Sequence, residues 1–271
     1  MKKYLLLALI FFQTASAAQL SQTILSPSIY YTHGAYSNQN SSNSIAVYTT
    51  LKTNDDIYFI AGYDNLNINN PDWTYLQQMF AAGTIFGINS FYVKINYAHI
   101  KGDFDYKPFL DRYSDFSNLY NADVFYYFEG NYVGAAYTHL NQIGFKAQKV
   151  NQITLRLERI FANDFFASVK PSVSLLSDKR KLYSAAVKFH YLISPEWLAK
   201  AGGFIGKRAY YFDSDLLTIF NQDDTQKFQA FAQIEYVLNP SLRLIGNYQY
   251  SKFAAYSINY FVFGIRTNFN L

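Results

Sequence analysis

The sequence contains no cysteine, which excludes a disulfide framework and a thiolate metal site and is compatible with an oxidising compartment. Glycine and proline are scarce, at 13 and 6 residues in 271. Long apolar runs are missing as well. Past position 18 no stretch approaches the roughly 20 apolar residues that a membrane-spanning helix needs, which excludes a polytopic helical protein. Charge of one sign is also thin: the formal net charge is +4, and Lys2 and Lys3 supply two of those charges. A basic excess fit for a polyanion is therefore absent, and no nucleic acid is expected as a partner. What the chain has instead is 26 Tyr and 25 Phe, with only 15% charged residues. That composition excludes disorder, because so much apolar and aromatic surface has to be buried or solvated by something other than water.

Met1-Lys2-Lys3, the apolar stretch Tyr4 to Phe12, and the small residues Ala15, Ala17 and Ala18 read as the three parts of an export signal. Residues 1–18 are expected to be a signal peptide, cut after Ala17 or Ala18. No cysteine follows the site, so a lipoprotein is not expected. An uncleaved N-terminal anchor is the alternative.

Beyond the leader the dominant pattern is alternation at period two over segments of about ten residues. Short polar connections can be read at Thr53-Asn54-Asp55, Ile88-Asn89-Ser90, Glu129-Gly130-Asn131, Ala162-Asn163-Asp164, Ile193-Ser194-Pro195 and Leu238-Asn239-Pro240-Ser241. Each holds residues that turn tightly at low cost. Longer polar stretches lie between them at 37–43, 65–73, 102–117, 141–149, 176–181, 206–225 and 252–256. Six short and seven longer connections give fourteen strands, each about 9–11 residues, the length that crosses a bilayer at barrel tilt. The expected fold is all-β: a transmembrane antiparallel up-and-down β-barrel of 14 strands over residues 19–271, with both termini periplasmic.

Parity assigns the faces. Phe261, Phe263, Ile265 and Phe269 share one side of the last strand, and Tyr260, Gly264, Arg266 and Asn268 share the other. The same split separates Leu244 and Tyr248 from Arg243 and Asn247, Phe228 and Ile234 from Gln229 and Glu235, and Phe59 and Ala61 from Tyr58 and Gly62. No helix or second sheet is available in the sequence to cover the apolar sets, whereas lipid covers them without a partner. Closure also removes aggregation-prone edges. Pairs such as Phe91-Tyr92, Phe165-Phe166 and the run Phe125-Tyr126-Tyr127-Phe128 sit near strand ends, where interfacial aromatic girdles belong. Pro171 falls inside the ninth strand, so a bulge or early strand end is expected there.

On these residues the chain resembles a Gram-negative outer-membrane β-barrel, whose insertion signal is a last strand of alternating apolar residues ending in an aromatic. Phe261, Phe263, Ile265 and Phe269 match that signal, and Leu271 stands where the terminal aromatic belongs. The strand count is similar to that of the monomeric porin G type. Ala61-Gly62-Tyr63-Asp64 with Asp72-Trp73, and Gly130-Asn131-Tyr132 with Gly134, look like the YaiO-type barrels. The resemblance implies residence in the cell outer membrane, contact with outer-membrane lipid and lipopolysaccharide, and passage through the barrel-assembly machinery during insertion.

Six lumen-parity cations, Lys94, Arg156, Lys188, Lys200, Arg243 and Arg266, lie at similar heights and form a candidate basic belt. Lys52 and Lys170 point the same way; Asp123, Glu129, Glu158 and Glu235 are the acids that can oppose them. At a constriction such a belt would concentrate anions. Paired with the acids, it would fill the interior with salt bridges instead. His33 and Ser37 share parity at the end of the first strand, but two same-face steps put their Cα atoms roughly 13 Å apart, too far for a general base and its nucleophile. No catalytic set, no metal site and no cofactor are expected. The 206–225 stretch mixes Asp213, Asp215, Asp223 and Asp224 with Leu216, Leu217, Ile219 and Phe220. A hairpin extension above the membrane is expected there, an inward constriction or a protein contact being the alternatives. The expected function is a passive pore for small polar or anionic solutes. The alternatives are a closed surface barrel serving export, envelope assembly or adhesion, and, further off, an acyl hydrolase.

Overall fold

The computed structural model describes residues 23–53, 57–108, 111–144, 147–161, 164–215 and 217–271; the leader at 1–18 lies outside them. Eleven strands follow one another from the N-terminal end: β1 (Ile24–Tyr36), β2 (Ser41–Lys52), β3 (Ile57–Asn69), β4 (Trp73–Ile88), β5 (Phe91–Tyr106), β6 (Asp111–Phe128), β7 (Asn131–Gly144), β8 (Gln148–Phe161), β9 (Phe165–Leu176), β10 (Lys181–Ser194) and β11 (Trp197–Arg208). Two short strands, β12 (Tyr211–Asp213) and β13 (Thr218–Phe220), pair only with each other. Three more long strands complete the series, β14 (Gln226–Asn239), β15 (Leu242–Phe253) and β16 (Ser257–Thr267), and a two-residue β17 (Phe269–Asn270) ends it.

Each long strand pairs antiparallel with its neighbour, β11 pairs with β14, and β16 pairs with β1 from Ser28–Arg266 to Tyr36–Ile258. The sheet is thus a closed barrel of fourteen long strands, with β17 continuing the seam through Leu25–Phe269. Closure leaves no edge strand. We orient it with its longest connection, 209–225, at the extracellular end, so the start of β1 and the end of β17 lie at the periplasmic end.

The turns follow from their residues. Glu129 and Gly130 both have positive φ, 46° and 81°, the geometry of a two-residue hairpin turn whose twist matches the flanking strands. Three of the stretches read from sequence as longer loops, 65–73, 102–117 and 141–149, are mostly strand. β5 runs to Tyr106, β6 starts at Asp111, and β3 and β4 are separated only by 70–72. Strands that rise out of the membrane have water on one side, so their polar residues need no loop to accommodate them. Pro171 produces no bulge either. The β8–β9 ladder skips from Thr154–Ser172 to Leu157–Val169 without a change of register, so the missing N–H costs local bridges and leaves the alignment intact.

The facing assignment is borne out. Phe261, Phe263, Ile265 and Phe269 are 44–65% exposed, and Ile29, Ile95 and Leu155 on other strands are exposed to a similar degree, with nothing but lipid to cover them. On the other face lie buried polar groups, Asn96, Asn121, Thr138, Gln152 and Ser168 among them. The upper limit of the apolar band is marked by a motif used three times. Tyr31 and His33 on β1 both donate to Asn43 Oδ1 on β2, at 2.7 and 3.0 Å. Tyr97 and His99 do the same to Asn118, and Tyr137 and His139 to Asn151. Tyr248 makes the corresponding bond to Asn259. These outward-facing groups satisfy one another and also face water, as suits a membrane interface.

Lumen-facing glycines admit cross-strand rings. A Cβ on Gly62 would sit 2.3 Å from the Tyr48 ring, its partner on β2. Gly62→Ala should therefore lower stability by about 1–3 kcal/mol through overpacking. Gly246→Ala, where nothing lies within 4 Å, should be neutral. Equal melting of the two variants would mean that the Tyr48 ring swings aside freely.

Candidate functional site

The long connection between β11 and β14 turns inward, which corrects the expectation of a hairpin extension above the membrane. The reason lies in its side chains. Ala209, Tyr210, Tyr211, Phe212 and Leu217 are each at most 4% exposed. Ala209, Tyr210, Phe212 and Leu217 pack with Leu119, Leu140, Val150, Leu176 and Leu182, which project into the extracellular half of the lumen, and Tyr211 lies under the Arg208 guanidinium. A loop carrying that much apolar area gains more from a wall of leucines than from water. Gln152 fixes the backbone: its Nε2 donates to Phe212 O at 3.0 Å, and Phe212 N donates to its Oε1 at 3.1 Å. At the mouth, Arg180 holds Asp223, and Tyr256 donates to Gln222. A cavity between the hairpin and the wall, lined by Asn121, Thr138, Gln152 and Ser214 among others, has about 10 Å³, room for about one water.

The tip of the hairpin carries Asp213 and Asp215 down to the level of the charged wall. Asp215 contacts cations from four strands: Lys94 of β5 at 3.4 Å, Arg156 of β8 at 2.7 Å, Lys170 of β9, and Lys188 of β10 at 3.9 Å. Asp213 contacts Lys188 at 3.0 Å. From the barrel wall, Asp123 and Glu158 also reach Arg156, at 2.5 and 2.8 Å, and Glu158 lies 3.4 Å from Lys170. Ser214 donates to Asp123, and the Arg156 guanidinium stacks over Phe125 at 4.7 Å. Four cations thus meet four carboxylates, two of them belonging to the wall and two to the hairpin. Burial works against the Asp213 carboxylate, but Lys188 and Lys170 outweigh it and hold its pKa well below the usual carboxylate range. Mild acid therefore leaves Asp213 charged.

The six residues expected as one belt form two groups. Lys94, Arg156 and Lys188 meet at the hairpin tip together with Lys170. Lys200 and Arg243 share Glu235, which is fully buried, and Arg266 donates to the Tyr30 hydroxyl at 3.3 Å. In this second group three cations face one carboxylate. In the lumen beneath the hairpin, the vestibule, both groups keep some contact with water, the Asp215 side chain being 26% exposed and that of Arg243 31%. The pairing of Asp213 and Asp215 with the wall was not read from the sequence. Its signal was an apolar-centred acidic loop in a chain whose lumen holds more cations than acids. His33 bonds Asn43, and Ser37 accepts from the Ser257 N–H, so the two residues serve different partners.

A closed barrel with an apolar exterior, a polar interior and interfacial aromatic girdles defines an integral outer-membrane β-barrel. No protein-family model matches the chain, and no curated protein matches it in sequence. Solved structures do match in fold. The CymD monoaromatic hydrocarbon channel has a TM-score of 0.63 at 8% identity, over 93% of this chain and 89% of that one. A Pseudomonas aeruginosa FadL homologue gives 0.60 at 8% identity over 92% and 90%, and the Pseudomonas putida toluene transporter TodX gives 0.57 at 10% over 94% and 90%. They are similar in fold, and the cell outer membrane is where that fold resides. The finer resemblance to YaiO-type or porin G-type barrels finds no support among them.

Proposed function

We propose that the chain is a gated outer-membrane transport barrel for small polar or anionic solutes, closed at rest by the hairpin between β11 and β14. The observation that carries this reading is the grip of four strands on the single carboxylate of Asp215. With the hairpin in place, the cluster is balanced. With the hairpin displaced, Lys94, Arg156, Lys170 and Lys188 keep only Asp123 and Glu158, and the vestibule beneath adds Lys200, Arg243 and Arg266 against Glu235. An opened lumen therefore carries excess positive charge inside low-dielectric walls, the arrangement that concentrates anions. Asp213 and Asp215 stand where a carboxylate or phosphate solute would be held. The neighbouring channels of the same fold carry hydrocarbons, as their names say. In this lumen the charged wall favours the polar class.

The test is planar-bilayer recording of the wild type beside the double substitution Asp213→Asn with Asp215→Asn. The wild type should open rarely. The variant should open more often, since neutral amides no longer balance four cations, and its openings should prefer anions at low ionic strength. Cation-selective openings, or equal opening frequency in the two proteins, would sink the reading.

A further inference from the structure

A second charged site lies outside the barrel. The extracellular ends of β10, β11, β14 and β15 carry Lys181, Lys207, Lys227 and Lys252, all exposed, and none of the four has an ion-pair partner among the described residues. Lys181, Lys207 and Lys227 line, with Arg180, a cleft of about 480 Å³. Arg180 is engaged by Asp178 and Asp223, so the lysines carry the uncompensated charge. Three or four cations this close repel one another, and among the described residues no ion pair with the lumen wall or the plug includes them.

Their depth says what does. Tyr183 is 64% exposed, Ile205 65% and Phe228 37%, and all three belong to the lipid-facing side. Lys181 and Lys207 each lie two residues from one of them along the strand, about 7 Å towards the outside. Lys252 is the cross-strand partner of Phe228 itself. On the same strand Lys252 lies two residues beyond Tyr250, whose partner is Asn259, the residue that marks the interface by accepting from Tyr248. The lysines therefore stand in the headgroup layer, directly above an acyl-facing apolar patch. A soluble anion would use the charges and leave the patch unexplained. A phosphorylated lipid uses both.

We propose that this cleft binds the phosphate groups of an outer-leaflet glycolipid of the lipopolysaccharide type, its acyl chains lying against Tyr183, Ile205 and Phe228. Each headgroup phosphate carries between one and two negative charges near neutral pH and takes charge-assisted hydrogen bonds from ammonium groups. Its lysines take no part in the contacts of Asp213 or Asp215, so they can be replaced without touching the clamp that holds the hairpin tip.

The experiment titrates the folded full-length barrel in detergent with phosphorylated lipopolysaccharide and with the same lipid after removal of its phosphates, binding being read by native mass spectrometry. Wild type should bind the phosphorylated lipid at least tenfold more tightly. Lys181→Gln, Lys207→Gln and Lys227→Gln combined should lose that preference, and Lys149→Gln, at the end of β8, should keep it. Heat-modifiable mobility checks that the variants fold. Should the triple variant fail to fold, the wild type still decides: its binding must weaken as salt rises from about 0.05 to 0.5 M, where screening shortens to a few ångströms. Equal affinity for the two lipids, or an unchanged triple variant, would overturn the proposal. Displacement of the lipid by excess inorganic phosphate would overturn it too, by showing a free-anion site.

Discussion

Replacing residues 210–220 with a short polar turn should give sustained ohmic current where the proposed gate predicts that the intact chain opens rarely. None of the fourteen long strands depends on the hairpin for its pairing, because β12 and β13 form a ladder only with each other and meet the wall through side chains. The frame should therefore assemble and show the same heat-modifiable mobility. What the deletion removes is the packing of Tyr210, Phe212 and Leu217 against the lumen wall and the two carboxylates that neutralise it. Lys94, Arg156, Lys170 and Lys188 would then face water instead of a dry contact, so the strong penalty for unpaired buried charge does not arise. The current should prefer anions at low ionic strength. In molar salt, where the Debye length is about 3 Å, that preference should fade. A correctly folded deletion variant that stays silent would mean that the wall closes the lumen by itself. The gate reading would then fail.

The second large effect concerns insertion. Ile265 on β16 faces lipid between Ile29 of β1 and Leu244 of β15, all three exposed and apolar. Counting from the Tyr31–His33–Asn43 level down to the seam at Leu25–Phe269 puts Ile265 near the middle of the apolar band. Ile265→Arg should cost about 2–4 kcal/mol of barrel stability, since a cation at that depth has no solvent. Phe269 is a weaker place for such a test, because β17 lies at the periplasmic rim where charge is nearly tolerated. Asn247→Lys, one strand away but facing the lumen, should leave folding yield close to wild type. The readouts are outer-membrane yield and the urea midpoint of the heat-modifiable form. Equal losses in the two variants would contradict the assignment of faces.

The outward Tyr–Asn–His groups were partly readable. Tyr-x-His recurs at 31–33, 97–99 and 137–139, and the recurrence is plain in the sequence. Their acceptors are not, because Asn43, Asn118 and Asn151 become partners only through cross-strand register. Connection lengths were misread for a related reason. Polar residues at 65–73 or 102–117 look like loop by composition, and whether they extend a strand depends on a neighbour that supplies hydrogen bonds.

The sequence by itself determined the strand number, the two faces of each strand and the membrane as solvent. Those properties are local: alternation at period two, tight-turn residues at the ends, and an apolar face with no covering element are written in consecutive positions. The tertiary structure decided which way residues 209–225 go and which charges meet. Asp215 is 121 positions from Lys94 and 59 from Arg156, and the four cations around it come from four separate strands. No local pattern encodes such a meeting. It follows from barrel closure, which turns cations dispersed along the chain into one wall, and from the free energy of burying an acidic, apolar hairpin against that wall instead of leaving it in water.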